Sequence, residues 1–490
     1  FSFFKFKDNM KLLFALLTLL AICHGITPME NFVKSISGQS KKDIAEHSWV
    51  VIVAGSTGYN NYRHQSDMCH AYQLVHQAGV PDERIIIFMN DDIAYNSQNP
   101  FKGQIFNYPY VPGGVNVNVY EGVPKDYIAK NATAANLISV MTGVPTNVGS
   151  GKYLKSTEED NVFFFYDDHG NTGILGMPYG TYFTDSNLKT ILETMSAKKM
   201  FKQFVGFFSA CYSGSMLYKQ NYPDNVYFAS AAPIDASSYA CYYDSTLRAY
   251  IDSCWPFGVI DSVENHGLDV TIDTMFTDAW GYAYNQSSVG SCQYGDINMK
   301  ANTFRGFLNG ETPKAAFAPA AAASKYSKAA KVEPVPQYLV PYMTALKNYE
   351  HSHSEADKIE LDRQTQIRKK IDTIIASIVS TVTGSKKDTG FLISQVCNVC
   401  DENCGCYTEC LAAGKTDYEC QRHCCNYLHC YSRGNGDETQ CSAALSRAFL
   451  DAFSYINNDY LYVASSVFSK LCRYPGIDVE KVIKAIKSFN

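Results

Sequence analysis

Two apolar runs in this chain end abruptly on reactive residues. Val162-Phe163-Phe164-Phe165-Tyr166 runs into Asp167-Asp168-His169-Gly170, and Phe204-Val205-Gly206-Phe207-Phe208 runs into Ser209-Ala210-Cys211-Tyr212-Ser213-Gly214. Neither alternates polar with apolar, so each reads as a short strand covered on both faces, the pattern of a parallel sheet. Open sheets of that kind place their sites at the carboxyl ends of the strands. If the two strands lie side by side, His169 and Cys211 emerge together there. A thiol with a pKa of about 8.5 is only a few per cent thiolate at neutral pH, and a nearby imidazole raises that fraction. Gly170, Ser213 and Gly214 are small enough to admit a peptide backbone, and N–H groups around Gly170 and Cys211 can hold an oxyanion. Taken singly, His169 reads as a satisfied core histidine and Cys211 as an inert buried thiol. Their matched placement points instead to a cysteine nucleophile with its base.

The rest of the chain fits an α/β class. From His47 to about Gly310, apolar segments at Trp49–Ala54, Arg84–Met89, Val162–Tyr166, Phe204–Phe208 and Val226–Ala229 alternate with helix-like stretches, which predicts a largely parallel sheet flanked by helices. Asn96–Val123, rich in Gly, Pro, Asn and Tyr, reads as a surface loop near the site. Glu311–Pro341 carries repeated Pro, Ala and Lys and reads as an exposed linker. Ala345–Val382 is helical in pattern, with Ile359, Ile367, Ile371, Ile374, Ile375 and Ile378 near helical spacing. Cys397 to Cys430 holds nine cysteines, and Cys441 and Cys472 flank a further helical stretch, Ala443–Ser469. The expected divisions are 1–25 leader, 26–310 sheet domain, 311–344 linker and 345–490 a helical, disulfide-rich region.

Address and charge narrow the function. A secretory signal is expected from Met10, with Lys11 as its positive end, Leu12–Ile22 as its apolar core and a cleavage point near Cys23–Gly25; Phe1–Asn9 is expected to be foreign to the mature protein. In an oxidising compartment the seventeen cysteines favour disulfides over zinc sites such as Cys397-x-x-Cys400. Asn131-Ala132-Thr133 and Asn285-Gln286-Ser287 are glycosylation acceptors that agree with that address. The net charge of −6 and sequence pI near 6.0 argue against nucleic acid or anionic lipid as partners.

At this point the residues resemble a known family. His47–Gly310 is similar to the catalytic domain of the legumain family, the asparaginyl endopeptidases of peptidase family C13, in the clan that also holds the caspases. Eight blocks in one order carry the resemblance: Trp49–Ser56, Asn61–Gln65, Cys69–Tyr72, Asp91–Tyr95, Gly122–Tyr127, Gly149–Lys152, Asp168–Gly170 and Ser237–Asp244. It implies a caspase-like sheet and a cysteine endopeptidase that cuts after Asn, and also after Asp, in which Cys211 attacks, His169 is base and acid, Asn61 orients the histidine, and backbone at Gly170 and Cys211 forms the oxyanion hole. No metal or organic cofactor is implied. In the specificity pocket Arg63 and His64 would face the asparagine side-chain carbonyl, a task that suits a guanidinium, while a carboxylate accepts from the amide NH₂. Ser237 and Ser238 match the strand lining that pocket, and Asp252 is the candidate acid on its far wall. The C-terminal helices resemble, more weakly, the family's inhibitory pro-domain, removed at acidic pH, with Asn348 as the expected self-cleavage site and Asn309 as a second. Protein or peptide substrates and a lysosome-like, vacuolar or secreted location follow.

The chain departs from the family where it matters. The usual Glu-Ala-Cys-Glu-Ser-Gly-Ser is Ser209-Ala210-Cys211-Tyr212-Ser213-Gly214-Ser215 here. Ser209 replaces a glutamate that helps close the pocket, so Arg63 is expected to be less compensated and the preference for asparagine relaxed. Three other readings stand beside hydrolysis after Asn. One is a transpeptidase or ligase of the same family. Another is the related transamidase subunit, whose membrane tail helix this sequence lacks. The third is a non-catalytic secreted protein that binds through its cysteine-rich segment.

Overall fold

The apolar runs build the centre of a seven-stranded sheet in a computed structural model. Residues 47–311, 332–384 and 436–490 are described, apart from residues 115, 219, 288 and 475. The strands are β1 (Ser48–Ala54), β2 (Ile85–Met89), β3 (Tyr127–Ile128), β4 (Asn161–Asp167), β5 (Gln203–Ser209), β6 (Val226–Ser230) and β7 (Cys292–Gly295). Their spatial order is β7-β6-β5-β4-β1-β2-β3. All neighbours run parallel except β7, which is antiparallel to β6.

Each central strand is buried on both faces because successive side chains point to opposite sides. In β1, Val50, Ile52 and Ala54 enter one core and Trp49, Val51 and Val53 the other. The first core is covered by α1 (Tyr62–Gln77), α4 (Cys254–His266) and α5 (Ile272–Ser287); the second by α2 (Ala134–Met141) and α3 (Asp185–Ala197). The start of α3 is fixed by a reciprocal cap between Thr184 and Asn187. A short α6 (Phe304–Leu308) closes the domain near Gly310.

Beyond it lie α7 (Val340–Ser352), α8 (Glu355–Thr383), α9 (Gly436–Phe453), α10 (Ala464–Leu471) and α11 (Val479–Ser488). α8 to α11 share a separate core of Ile371, Ile375, Ile378, Leu445, Phe449 and Phe468, with Ile174 and Tyr182 of the sheet domain packed against it, whereas α7 packs through Val340 and Met343 against Ala240 and Tyr250. The Cys441–Cys472 disulfide ties α9 to the end of α10. Among the described residues no helix is long and apolar enough to cross a membrane.

Three expectations change. The linker is not exposed throughout: Val335, Gln337, Tyr338 and Val340 are buried. The expected helix over 345–382 breaks at left-handed His353, and α8 restarts under a Ser354 cap; Ile359 stays out of the helical core at 62% exposure because its spacing turns it about 100° or more around α8 from buried Ile371, Ile375 and Ile378. The stretch Ala443–Ser469 is interrupted by tight turns at Ser454–Ile456 and Asp459–Val463, and the second of these reaches the site. The signal segment and Cys397–Cys430 lie outside the described residues.

Candidate active site

The register of β4 and β5 sets the geometry. Asp167 pairs with Ser209 at the last rung of the ladder, so His169 and Cys211 each stand two residues past a matched pair. The two turns then pass close to one another. A Cβ on Gly170 would lie 2.4 Å from the Cys211 carbonyl oxygen and 2.8 Å from Ala210 Cβ, so no larger residue fits there. Immediately after the nucleophile, Tyr212 adopts a left-handed conformation, φ 58°, and its N–H donates to Ala236 O at 2.8 Å. Such a conformation costs a non-glycine residue on the order of 1 kcal/mol, and it turns the chain sharply away behind the thiol.

His169 is held by one ring nitrogen. Its Nε2 lies 2.8 Å from Asn61 Oδ1. The Asn61 amide nitrogen donates to Thr57 O at 3.0 Å and to Asp459 Oδ2 at 3.1 Å, which fixes Oδ1 as the atom facing the ring. The proton therefore sits on Nε2 and the lone pair on Nδ1, a buried atom with no hydrogen-bond partner among the described residues. Nδ1 is thus the atom able to take a proton from a thiol. The Cys211 sulfur accepts from the Ser238 N–H at 3.3 Å and lies 3.6 Å from Ser238 Oγ. Burial pushes this thiol up, and the contacts to Ser238 and Ser237 offset that only in part.

Arg63 and His64, both fully buried in the first turn of α1, converge on one oxygen. Arg63 Nη2 and His64 Nε2 donate to Gln337 Oε1 at 2.8 and 2.7 Å. The Gln337 amide nitrogen donates to Ser238 Oγ at 2.9 Å, and its backbone N–H to Ser238 O at 3.1 Å. The preceding Val335-Pro336 pairs antiparallel with Tyr239-Ala240. A primary amide is thus clamped by a guanidinium, a neutral imidazole and a hydroxyl, on a segment laid along an edge strand. Burial, with the nearby charges of Arg63 and His169, holds His64 well below the ordinary histidine range. Behind the pocket, Asp252 Oδ1 accepts from the Tyr242 N–H at 2.9 Å, and the Cys241–Cys254 disulfide joins the two segments of this wall. Burial pushes Asp252 up to about 7.

Two more residues reach in from the turn at Asp459–Val463. Asp459 Oδ2 lies 3.3 Å from His169 Nε2, and the Tyr462 ring stacks on the His169 ring at 5.1 Å and 17°. Gln337, Asp459 and Tyr462 together cover the pocket and the base.

The comparisons agree with this geometry. The Peptidase C13 family model matches residues 48–310, the sheet domain and its site. Legumain from Homo sapiens is 33% identical over 392 residues, spanning 77% of this chain and 84% of its own. The chain belongs to the peptidase C13 family. Legumain from Canavalia ensiformis is 38% identical over 52% of the chain and 55% of its own length, and a vacuolar-processing enzyme from Citrus sinensis 35% over 53% and 54%. A caspase-1 from Spodoptera frugiperda overlaps 51% of the chain and 86% of its own at a TM-score of 0.30 and 11% identity, too loosely to carry the fold, which rests on the strand order above.

In this C13 cysteine endopeptidase the structure brings together Asn61, Arg63, His64, His169, Gly170, Ser209, Cys211, Ser237, Ser238 and Asp252 around one pocket. Asn348 is elsewhere: it sits on α7, with Oδ1 accepting from Tyr243 Oη at 2.6 Å and Arg248 Nε at 3.2 Å. Asn309 caps α6. Asn131 is half-buried and Asn285 exposed. Burial pulls the Arg63 guanidinium down, and Asp167, Asp459, Asp168 and Asp67 oppose that only in part. Sequence reasoning gave no role to Gln337, Asp459, Tyr462 or Asp167. The one available signal for Gln337 was an amide set among Pro334, Pro336 and Pro341 in a stretch otherwise composed as linker.

Proposed function

We propose that this peptidase cleaves peptide bonds after asparagine and is made as a zymogen whose own C-terminal region closes the site. The observation that carries this reading is Gln337. Its amide occupies the pocket that would take the side chain of the P1 residue, the one whose carbonyl is attacked, and its segment runs as an antiparallel strand beside Tyr239-Ala240. An uncharged amide satisfies Arg63, His64 and Ser238 at once, whereas an aliphatic side chain leaves the Arg63 Nη2 and His64 Nε2 donors that face it without an acceptor, at about 1–3 kcal/mol each.

Catalysis then follows from the dyad. With Gln337 and Tyr462 withdrawn, His169 Nδ1 takes the Cys211 proton, the sulfur attacks the P1 carbonyl, and N–H groups at Gly170 and Cys211 receive the oxyanion. His169 returns the proton to the leaving amine, and a water activated by the same nitrogen frees the acid. Asn61 holds Nε2 throughout, so Nδ1 keeps facing the reaction. Acid in a vacuole-like or lysosome-like compartment releases the cover, and self-cleavage at Asn348 follows once α7 has left Tyr243 and Arg248. Glycosylation fits exposed Asn285 best.

The test is a peptide panel varied only at P1, assayed on acid-treated protein whose active sites are counted with a thiol-directed peptide probe. Asparagine should exceed alanine and leucine by at least tenfold in kcat/KM. A panel led by an aliphatic or basic residue overturns the reading.

A further inference from the structure

The segment that fills the pocket changes conformation at the one residue whose carbonyl matters. Val335-Pro336 pairs antiparallel with Tyr239-Ala240, and Pro336 is still extended at φ −51°, ψ 134°. Gln337 then donates its backbone N–H to Ser238 O at 3.1 Å while its side chain fills the pocket. Ser238 thus holds the Gln337 backbone through its carbonyl and the Cys211 sulfur, at 3.3 Å, through its N–H. In a substrate seated this way the next bond is the one that is cut. Here that bond is Gln337–Tyr338. From Gln337 to Leu339, however, the chain winds into a 3-10 turn, and Val340 at the head of α7 donates its N–H to the Gln337 carbonyl oxygen. A 3-10 residue has ψ near about −25°, roughly 160° from the extended value, so the carbonyl is swung away from where an extended P1 residue held by the same N–H presents it. Beyond the bond, Tyr338 is buried and its ring packs on Tyr460 of the cover at 6.1 Å and 61°. The sheet domain therefore holds the amino side of the bond and the cover its carboxyl side.

We infer that Gln337–Tyr338 is a latent cleavage site of this chain: Val335-Pro336-Gln337 binds as the acyl side of a substrate, and the turn closed by Val340 withholds the bond from Cys211. Opening the turn lets the carbonyl reach the oxyanion hole. His169 Nδ1 takes the Cys211 proton, the sulfur bonds to the Gln337 carbonyl carbon, the bond to the Tyr338 nitrogen breaks as that nitrogen takes the proton, and water hydrolyses the thioester. The cut frees every later residue of the cover from the strand in the pocket. The inference rests on the reading of the Arg63 pocket as the P1 site.

The test uses full-length chains with asparagine placed in the pocket, so that residue identity is not limiting: Gln337→Asn alone, Gln337→Asn with Val340→Pro, and Gln337→Asn with two glycines inserted after Leu339. Proline removes the N–H that closes the turn and disfavours the helical conformation at Leu339; the insertion parts that N–H from its acceptor and keeps every side chain. All are followed at one pH by intact mass and amino-terminal sequencing. A new terminus at Tyr338 should form roughly tenfold or more faster in the turn-opened chains than in Gln337→Asn alone, the effect of releasing a hydrogen bond that holds the bond out of reach. Cys211→Ala should abolish it. If the proline variant fails to fold, the insertion decides alone. Equal rates with the turn closed and open overturn the inference, as does a Tyr338 terminus that survives Cys211→Ala. A turn-opened chain that stays whole at this bond while its acid-treated form still favours Asn peptides overturns the inference alone, whereas a peptide panel not led by asparagine overturns the reading of the pocket and the inference with it.

Discussion

The sheet domain and the helical cover respond to protons in opposite directions. Under the sheet's carboxyl edge, burial lifts Asp252 to about 7 and Asp167 to about 6, and also raises Asp67 and Asp168. These carboxyls bind protons more tightly folded than unfolded, so stability contributed at low pH is lost as pH climbs from about 4 towards 7. In the cover, burial also pushes Asp459 upward, but His169, Arg63 and Asn61 outweigh it and hold the carboxyl below its ordinary value. That contribution is present above about pH 4 and is lost as acid protonates Asp459. Protonation therefore favours the folded sheet domain and weakens the hold of Asp459 on His169. The difference lies in partners: acids buried with few cations want protons, and an acid docked against His169 and Arg63 does not. Packing points the same way, since the cover has its own apolar core and reaches the site mainly through polar side chains.

The contrast can be broken most strongly at Gln337. Replacing it with alanine removes its clamp on Arg63, His64 and Ser238, so uncleaved Gln337→Ala protein at neutral pH should label with a P1-Asn thiol probe roughly ten- to a hundred-fold faster. Labelling as slow as in the natural chain would assign the seal to Asp459 and Tyr462 instead. A smaller effect is expected from Asp459→Asn. Its side chain is 24% exposed, so screening limits the pair, and labelling of the uncleaved chain at pH 7 should rise only a few-fold. The pH dependence of lid release should also flatten below about pH 4, read as probe labelling against pH. The smallest effect concerns the sheet domain. The acid-processed form should melt several degrees lower at pH 7.5 than at pH 5, and Asp252→Asn should narrow that gap in calorimetry.

Much of the sheet was legible because its evidence is local. Unbroken apolar runs mark doubly buried strands, and β1, β2, β4, β5 and β6 fall within a residue or so of their expected bounds. His169 and Cys211 could be read from strand ends, and Arg63 and His64 from their block. What escaped depends on pairing between distant segments. Asp459 and Tyr462 gain their meaning from their contacts with His169, far earlier in the chain, and no periodicity shows it. Gln337 escaped because Pro and Ala composition describes a chain free of its surroundings, whereas the segment is ordered by an edge strand that offers hydrogen bonds. The single helix expected over Ala345–Val382 failed for the converse reason: helical composition continues across Ser352–Ser354, where the backbone does not.

The segment ending at Gln337 is also a chemical template. Val335-Pro336-Gln337 lies extended along Tyr239-Ala240 with its terminal amide clamped, and glutamine is one methylene longer than asparagine. A tripeptide of that outline, shortened to asparagine and ending in a thiol-reactive electrophile, would inherit its register from the chain itself, which makes residues 335–337 the starting scaffold for a selective covalent inhibitor of this peptidase.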